Sequence, residues 1–142
     1  MYTNILLTVD LNQESSWIRA LPVAVEYCKA FGAKLHIMTV VPSFGMPIVA
    51  SFFPDDYASN VRAEVNDRLH ALMREHVSKE VACQHIIAEG VVYEEIIETA
   101  KKIDADLIIM AAHRPDLRDF LLGPNAARVV RHSDKSVLVV RD

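Results

Sequence analysis

Two places in the chain bring together residue types suited to holding a charged small molecule. Asp10 ends the apolar run Ile5-Leu6-Leu7-Thr8-Val9, and His113 and Arg114 follow a second run, Leu107-Ile108-Ile109-Met110-Ala111-Ala112. A carboxylate can accept hydrogen bonds from a sugar hydroxyl or an amino group, or hold a metal that rides on phosphate. Downstream, Gly123-Pro124 is a helix-start signal, because proline suits the first helical position and lacks only a donor that the helix would not use. The amides of Asn125 and Ala126 then point out of the helix N-terminus, where an anion is favoured. Arg114 and Arg118 can add positive charge for a phosphate chain. Each residue also has an ordinary role. Asp10 suits a cap on the following turn, His113 a turn residue satisfied by backbone, and Arg114 and Arg118 surface pairs with Asp116 and Asp119.

Signs of catalysis are missing. No GxxxxGK[ST] and no GxGxxG occurs. His132, Ser133 and Asp134 have triad composition but no nucleophile elbow, and Lys135 and Ser136 add nothing to that case. His36, His70, His76, His85 and His132 are scattered and make no metal constellation. Cys28 and Cys83 form no CxxC and read as two buried free thiols. No nucleophile or acid–base pair emerges, so slow ATP hydrolysis is the most that could be expected.

The elements that must position these residues alternate along the chain. Near-continuous apolar runs at 5–9, 35–41, 107–112 and 137–140 fit strands buried on both faces. A weaker run, Val81 to Ala88, contains Cys83, Gln84 and His85 and reads as a strand nearer the sheet edge. Trp17, Leu21, Ala24, Cys28 and Phe31 mark a helix stopped by Gly32, with a kink or late start expected at Pro22. Val61, Val65, Leu69, Leu72 and Met73 mark a second helix. Ile96, Ile97, Ala100 and Ile103 mark a third, ending near Lys101-Lys102, and Pro124 to His132 forms a fourth. The order β-α-β-α-β-α-β-α-β implies a parallel sheet with helices on both faces.

The totals agree. The 142 residues suit one domain spanning 1–142, and 51% of them are apolar, enough for a core. The 19 acids against 15 Lys plus Arg, a net charge of −4, argue against a nucleic-acid partner. Met1 to Asp10 has no basic, apolar leader pattern, and no run approaches a membrane span, so the expected location is cytoplasmic. Residues 42–57 carry three prolines and no charge before Asp55. They suit either a hydrophobic patch packed on the domain or a flap at the end of the second strand.

In an open doubly wound sheet, ligands bind beyond the carboxyl ends of the strands, where strand order reverses. With the first strand central, Thr8, Val9 and Asp10 meet Ala111, Ala112, His113 and Arg114 there, with Val40 and Val41 alongside.

These residues also carry a family resemblance. Ile5 through Asp10, Glu89-Gly90 followed by Glu94-Glu95-Ile96-Ile97, and Ala105 through Met110 resemble segments of the universal stress protein family. So do Leu121-Leu122-Gly123, Ala126 through Val130, Arg131-His132 and Ser136 through Arg141. The resemblance implies an α/β fold of the adenine nucleotide alpha hydrolase-like type, with a five-stranded parallel sheet in the order 3-2-1-4-5. It implies a homodimer through the last strand, Val137, Leu138, Val139 and Val140. It also implies a binding set of Thr8, Val9, Asp10, Val40, Ala111, His113, Arg114, Gly123, Pro124, Asn125 and Ala126 for an adenine nucleotide, ATP foremost, with Mg²⁺ accompanying the phosphates.

The chain departs from the family's nucleotide-binding pattern of Gly-x-x-Gly, nine residues, then Gly-Ser or Gly-Thr. Ala111 and Arg114 stand at the first two glycines, eight residues separate Arg114 from Gly123, and Pro124 replaces the hydroxyl residue. The variant Ala112-His113-Arg114-Pro115 resembles a branch of the family that carries Ser-His-Arg-Pro. There, a charged side chain would replace close backbone approach, and Asn125 the missing hydroxyl. Two functions remain open: a dimeric stress or regulatory protein that binds an adenine nucleotide, and a nucleotide-free module for dimerisation and partner docking.

Overall fold

The computed structural model describes residues 1–41, 57–112 and 123–141. Among them are five strands: β1 (Asn4–Thr8), β2 (Lys34–Val41), β3 (Cys83–Glu89), β4 (Leu107–Ala111) and β5 (Ser136–Val140). Four α-helices alternate with them: α1 (Ala20–Phe31), α2 (Tyr57–His76), α3 (Val92–Lys102) and α4 (Pro124–His132). All neighbouring strands pair in parallel, in the order β3-β2-β1-β4-β5. This is the expected architecture.

The central strands have no polar face because both faces are covered. Ile5, Leu7, Leu35, Ile37, Leu107 and Ile109 point to one side, against Leu21, Ala24 and Cys28 of α1 and Leu69 and Leu72 of α2. Leu6, Met38, Ile108 and Met110 point to the other, against Ile96 and Ala100 of α3 and Ala126 and Val129 of α4. Each fully buried Leu or Ile contributes about 1.5–3 kcal/mol by leaving water. Every residue of β3 is only half-buried, as an edge strand should be. Its span, Cys83–Glu89, begins two residues later than the apolar run suggests.

Pro22 delays α1. The helix begins at Ala20, so Pro22 falls in the first turn, where its missing N–H has no intrahelical partner to lose. Trp17 therefore lies outside the helix, after a 3-10 turn at Glu14–Ser16. At the other end Gly32 adopts φ +66°, and Ala33 N–H donates to the Cys28 carbonyl at 3.0 Å. Both cysteines are free, but Cys83 is half-buried where a buried thiol was expected. Burial pushes both thiols up to about 11, which keeps them protonated and unreactive. Of the histidines, the His70 and His85 rings meet with centroids 6.0 Å apart. Among the described residues no group of three His, Cys, Asp or Glu could hold a metal ion. No helix among them is long and apolar enough to cross a membrane. Residues 42–56, most of the proline-rich connection, lie outside the described residues.

Candidate functional site

Chain order reverses between β1 and β4, and a cleft of about 630 Å³ opens beyond the carboxyl ends of the strands at that point. That volume suits a small-molecule ligand. Thr8, Val9 and Asp10 line it from the exit of β1, and Met38, Thr39 and Val40 from β2. Met110 and Ala111 of β4, then Ala112, form the opposite side with Gly123, Asn125 and Ala126 at the start of α4. Of the eleven residues in the implied binding set, eight therefore gather at one cleft. Pro124 starts the helix but is exposed and does not line the cleft. His113, Arg114 and Arg118 lie outside the described residues.

The wall at Asp10 is tightly built. Val9 N–H donates to the Met38 carbonyl at 2.9 Å, and the buried Thr39 hydroxyl donates to the Val9 carbonyl at 2.9 Å. These bonds tie the ends of β1 and β2 together just before the chain turns. Asp10 Oδ1 then accepts Asn12 N–H at 3.0 Å, and the Asp10 carbonyl accepts Gln13 N–H at 2.9 Å. Ser16 Oγ accepts Asp10 N–H at 2.8 Å. It also sits 2.9 Å from the Asp10 carbonyl and 2.7 Å from the Gln13 carbonyl, either of which can take its proton. Asp10 is thus the cap of its own turn, and one oxygen does that work. Among the described residues, Oδ2 accepts no hydrogen bond. The two roles weighed for Asp10 are compatible.

The facing wall is the N-terminus of α4. Gly123 is the extended N-cap residue at φ −60° and ψ 158°, and its carbonyl accepts Ala127 N–H at 3.0 Å. Gly123 has no side chain to cap this helix, and no other described residue is seen to do so. The amides of Asn125 and Ala126 therefore carry the positive end of the helix dipole toward the cleft. Asp10 is the only charged residue in the described lining.

Sequence reasoning missed several residues at this cleft. Asn12, Gln13, Ser15 and Ser16 line it from the loop after β1. The signal was a run of turn-forming side chains behind Asp10. Val92 and Ile96 line it from α3. Their placement depends on Gly90, which turns the chain at φ +137° and donates its N–H to the Val41 carbonyl at 3.1 Å. A Cβ there would stand 2.8 Å from Glu95 Oε1. At the same corner Arg62 of α2 pairs with Glu89 at the end of β3.

Comparison with known proteins gives a consistent picture. The model of the universal stress protein family matches residues 1–141. Universal stress protein G of Escherichia coli O157:H7 is 26% identical over 143 aligned positions, covering 99% of this chain and 100% of that protein. The structure of MJ0577, a universal stress protein of Methanocaldococcus jannaschii, superposes with a TM-score of 0.76 at 26% identity, over 100% of this chain and 97% of that one. A universal stress protein solved in complex with cAMP is also 26% identical, with a TM-score of 0.63 over 99% of this chain and 97% of that one.

Proposed function

The chain belongs to the universal stress protein family, and from that premise we propose that it binds an adenine nucleotide, ATP foremost, as a cytoplasmic regulatory or stress-response factor built as one domain. The observation that carries this reading is the facing of two unlike walls across one cleft. The Asp10 carboxylate stands on one side, and the N-terminal amides of α4 stand on the other. Adenine would lie against Thr8, Val9 and Val40, with ribose at Asp10. The phosphates would lie over Ala111, Gly123, Asn125 and Ala126, with Arg114 and His113 contributing from the segment that follows Ala112. A relative of similar identity solved with cAMP supports the adenine choice.

A divalent cation would find one carboxylate in the described lining. Mg²⁺ characteristically takes one or two carboxylates together with substrate phosphates. Mg²⁺ would thus arrive with the nucleotide, held mainly by its phosphates, and Asp10 is the carboxylate that the described lining offers to either ribose or metal. In that setting it would neutralise phosphate charge.

Calorimetric titration with ATP, AMP and cAMP tests the reading. A ligand at one hundred times its Kd, binding only the folded protein, should raise unfolding free energy by about 2.7 kcal/mol and the melting temperature with it. Absence of both heat and a melting shift for all three nucleotides would overturn it. The competing reading, a nucleotide-free docking module, draws support from Pro124, which offers no N–H where the family pattern has a hydroxyl residue. For assembly, β5 is the favoured interface of a homodimer. It is an edge strand, and Val137, Leu138, Val139 and Val140 are each only half-buried. Sedimentation equilibrium should give twice the 15.9 kDa chain mass, and a monomer at micromolar concentration would refute the dimer.

A further inference from the structure

Arg68 of α2 is not part of the cleft lining, yet it holds the loop that forms one wall. Its Nη2 donates to the Leu11 carbonyl at 2.6 Å, and its Nη1 donates to Asn12 Oδ1 at 3.3 Å. Leu11 lies between Asp10 and Asn12, both of which line the cleft. The loop is closed on itself through Asp10, Gln13 and Ser16. Those internal bonds fix its shape but not its position relative to α2. The planar guanidinium supplies that second constraint, because its two nitrogens engage two successive residues in a fixed fork.

The same contact orients Asn12. Arginine only donates, so the atom facing it must be the amide oxygen. Nδ2 is then the donor that this side chain can offer a ligand. We propose that Arg68 is a positioning residue of the nucleotide site, setting the place of Asp10 and turning the donor end of Asn12 to the ligand. This rests on the nucleotide-binding reading above. Arg68 is exposed, so the bonds it makes add little to overall stability, and its effect on the site can be separated from folding.

The test compares wild type, Arg68→Ala and Arg68→Lys by calorimetric titration with AMP and with ATP at fixed ionic strength. Melting without nucleotide and amide exchange at Asn12 and Gln13 are measured in parallel. Arg68→Ala should weaken AMP and ATP equally, by about tenfold, and speed exchange at those two amides. Arg68→Lys should recover part of the loss, since one ammonium can serve the Leu11 carbonyl but cannot span both acceptors. An unchanged affinity in Arg68→Ala would overturn the proposal. So would a loss that grows with the number of phosphates, which would mean a long-range charge effect. If Arg68→Ala melts markedly lower, Arg68→Lys and the exchange rates decide, and no recovery with unchanged exchange counts against the role. Wild-type protein that binds neither nucleotide would sink the site itself, a result distinct from wild-type binding that the Arg68 variants leave intact.

Discussion

The two ends of the sheet handle polar groups in opposite ways. At the amino ends of the strands, Asp106 and His36 are matched to other protein groups. Asp106 accepts Thr3 N–H at 2.8 Å, the Thr3 hydroxyl at 2.9 Å and Asn4 N–H at 3.2 Å. His36, only 4% exposed, lies between Asn4 Oδ1 at 3.1 Å and Gln84 Nε2 at 2.6 Å. At the carboxyl ends, Asp10, Asn12, Gln13, Ser15 and Asn125 line open space. One sheet thus has a closed end that holds strands β1, β2, β3 and β4 in register and an open end that offers unsatisfied capacity to a ligand. The division follows from parallel topology, which collects all strand exits and helix N-termini on one side.

If that division is right, substitutions at the closed end should cost stability and spare binding. The largest effect is expected from His36→Ala. It removes a buried ring and leaves Asn4 and Gln84 without their partner, so unfolding free energy should fall by about 3 kcal/mol. Nucleotide affinity should be unchanged in titration. A changed affinity with unchanged stability would break the comparison.

Asp106→Ala comes next. It removes the acceptor of three hydrogen bonds that tie the start of β1 to the entry of β4, and denaturant unfolding should show a loss of about 2 kcal/mol. Burial alone would raise the Asp106 carboxyl, but the donors from Thr3 and Asn4 outweigh it and hold the group below its ordinary value. Its stabilisation is therefore present above the usual value near 3.8 and is lost as pH falls through the lowered one. Wild type should lose stability in that acid range more steeply than Asp106→Ala. Parallel curves would show that the carboxylate is not the anchor.

Asp10→Asn reverses the pattern at the open end. The amide oxygen can still accept Asn12 N–H, so the turn survives. The position of Oδ2 becomes a neutral donor, which can no longer accept a hydroxyl proton or hold a metal as a carboxylate does. Affinity for adenine nucleotide should fall about tenfold, with the melting temperature of free protein little changed. Equal affinity would remove Asp10 from the ligand. A large loss of stability would make it a structural cap alone.

How much of this was readable beforehand also divides by end. Asp10 and the Gly123-Pro124 helix start were legible from local chemistry, an acid closing an apolar run and a proline suited to the first helical position, whereas Ala111 entered through the strand placement. The strand order came from family resemblance, since apolar runs such as 5–9 and 107–112 carry no mark of which neighbour they choose. Asn12, Gln13, Ser15 and Ser16 were missed because their place at the cleft requires the loop to fold back through Ser16 Oγ. Val92 and Ile96 depend on the turn at Gly90. The pairing of His36 with Gln84 appears only once the register is known, where the two stand opposite each other in β2 and β3. A lone histidine inside an apolar strand gave no hint of two amide partners.

The pH response of His36 is the smallest effect and the most specific to the closed end. Asn4 Oδ1 is an acceptor, so Nε2 carries the proton, and the Gln84 amide donates to Nδ1. Protonating Nδ1 would set two donors 2.6 Å apart inside the sheet. Burial lowers the His36 pKa, and the nearby Lys34 ammonium lowers it further. A depressed histidine pKa means that the unfolded chain binds a proton which the folded one resists. Stability is therefore complete above the usual value near 6.5 and declines as pH falls below it toward the lowered folded value. Denaturant midpoints measured between pH 7.5 and 5 should show that decline in wild type. In His36→Gln, which keeps polar contacts but cannot titrate, this part of the decline should be missing. Equal declines in the two proteins would mean that the ring is free to take its proton, and that the closed end is less closed than its hydrogen bonds imply.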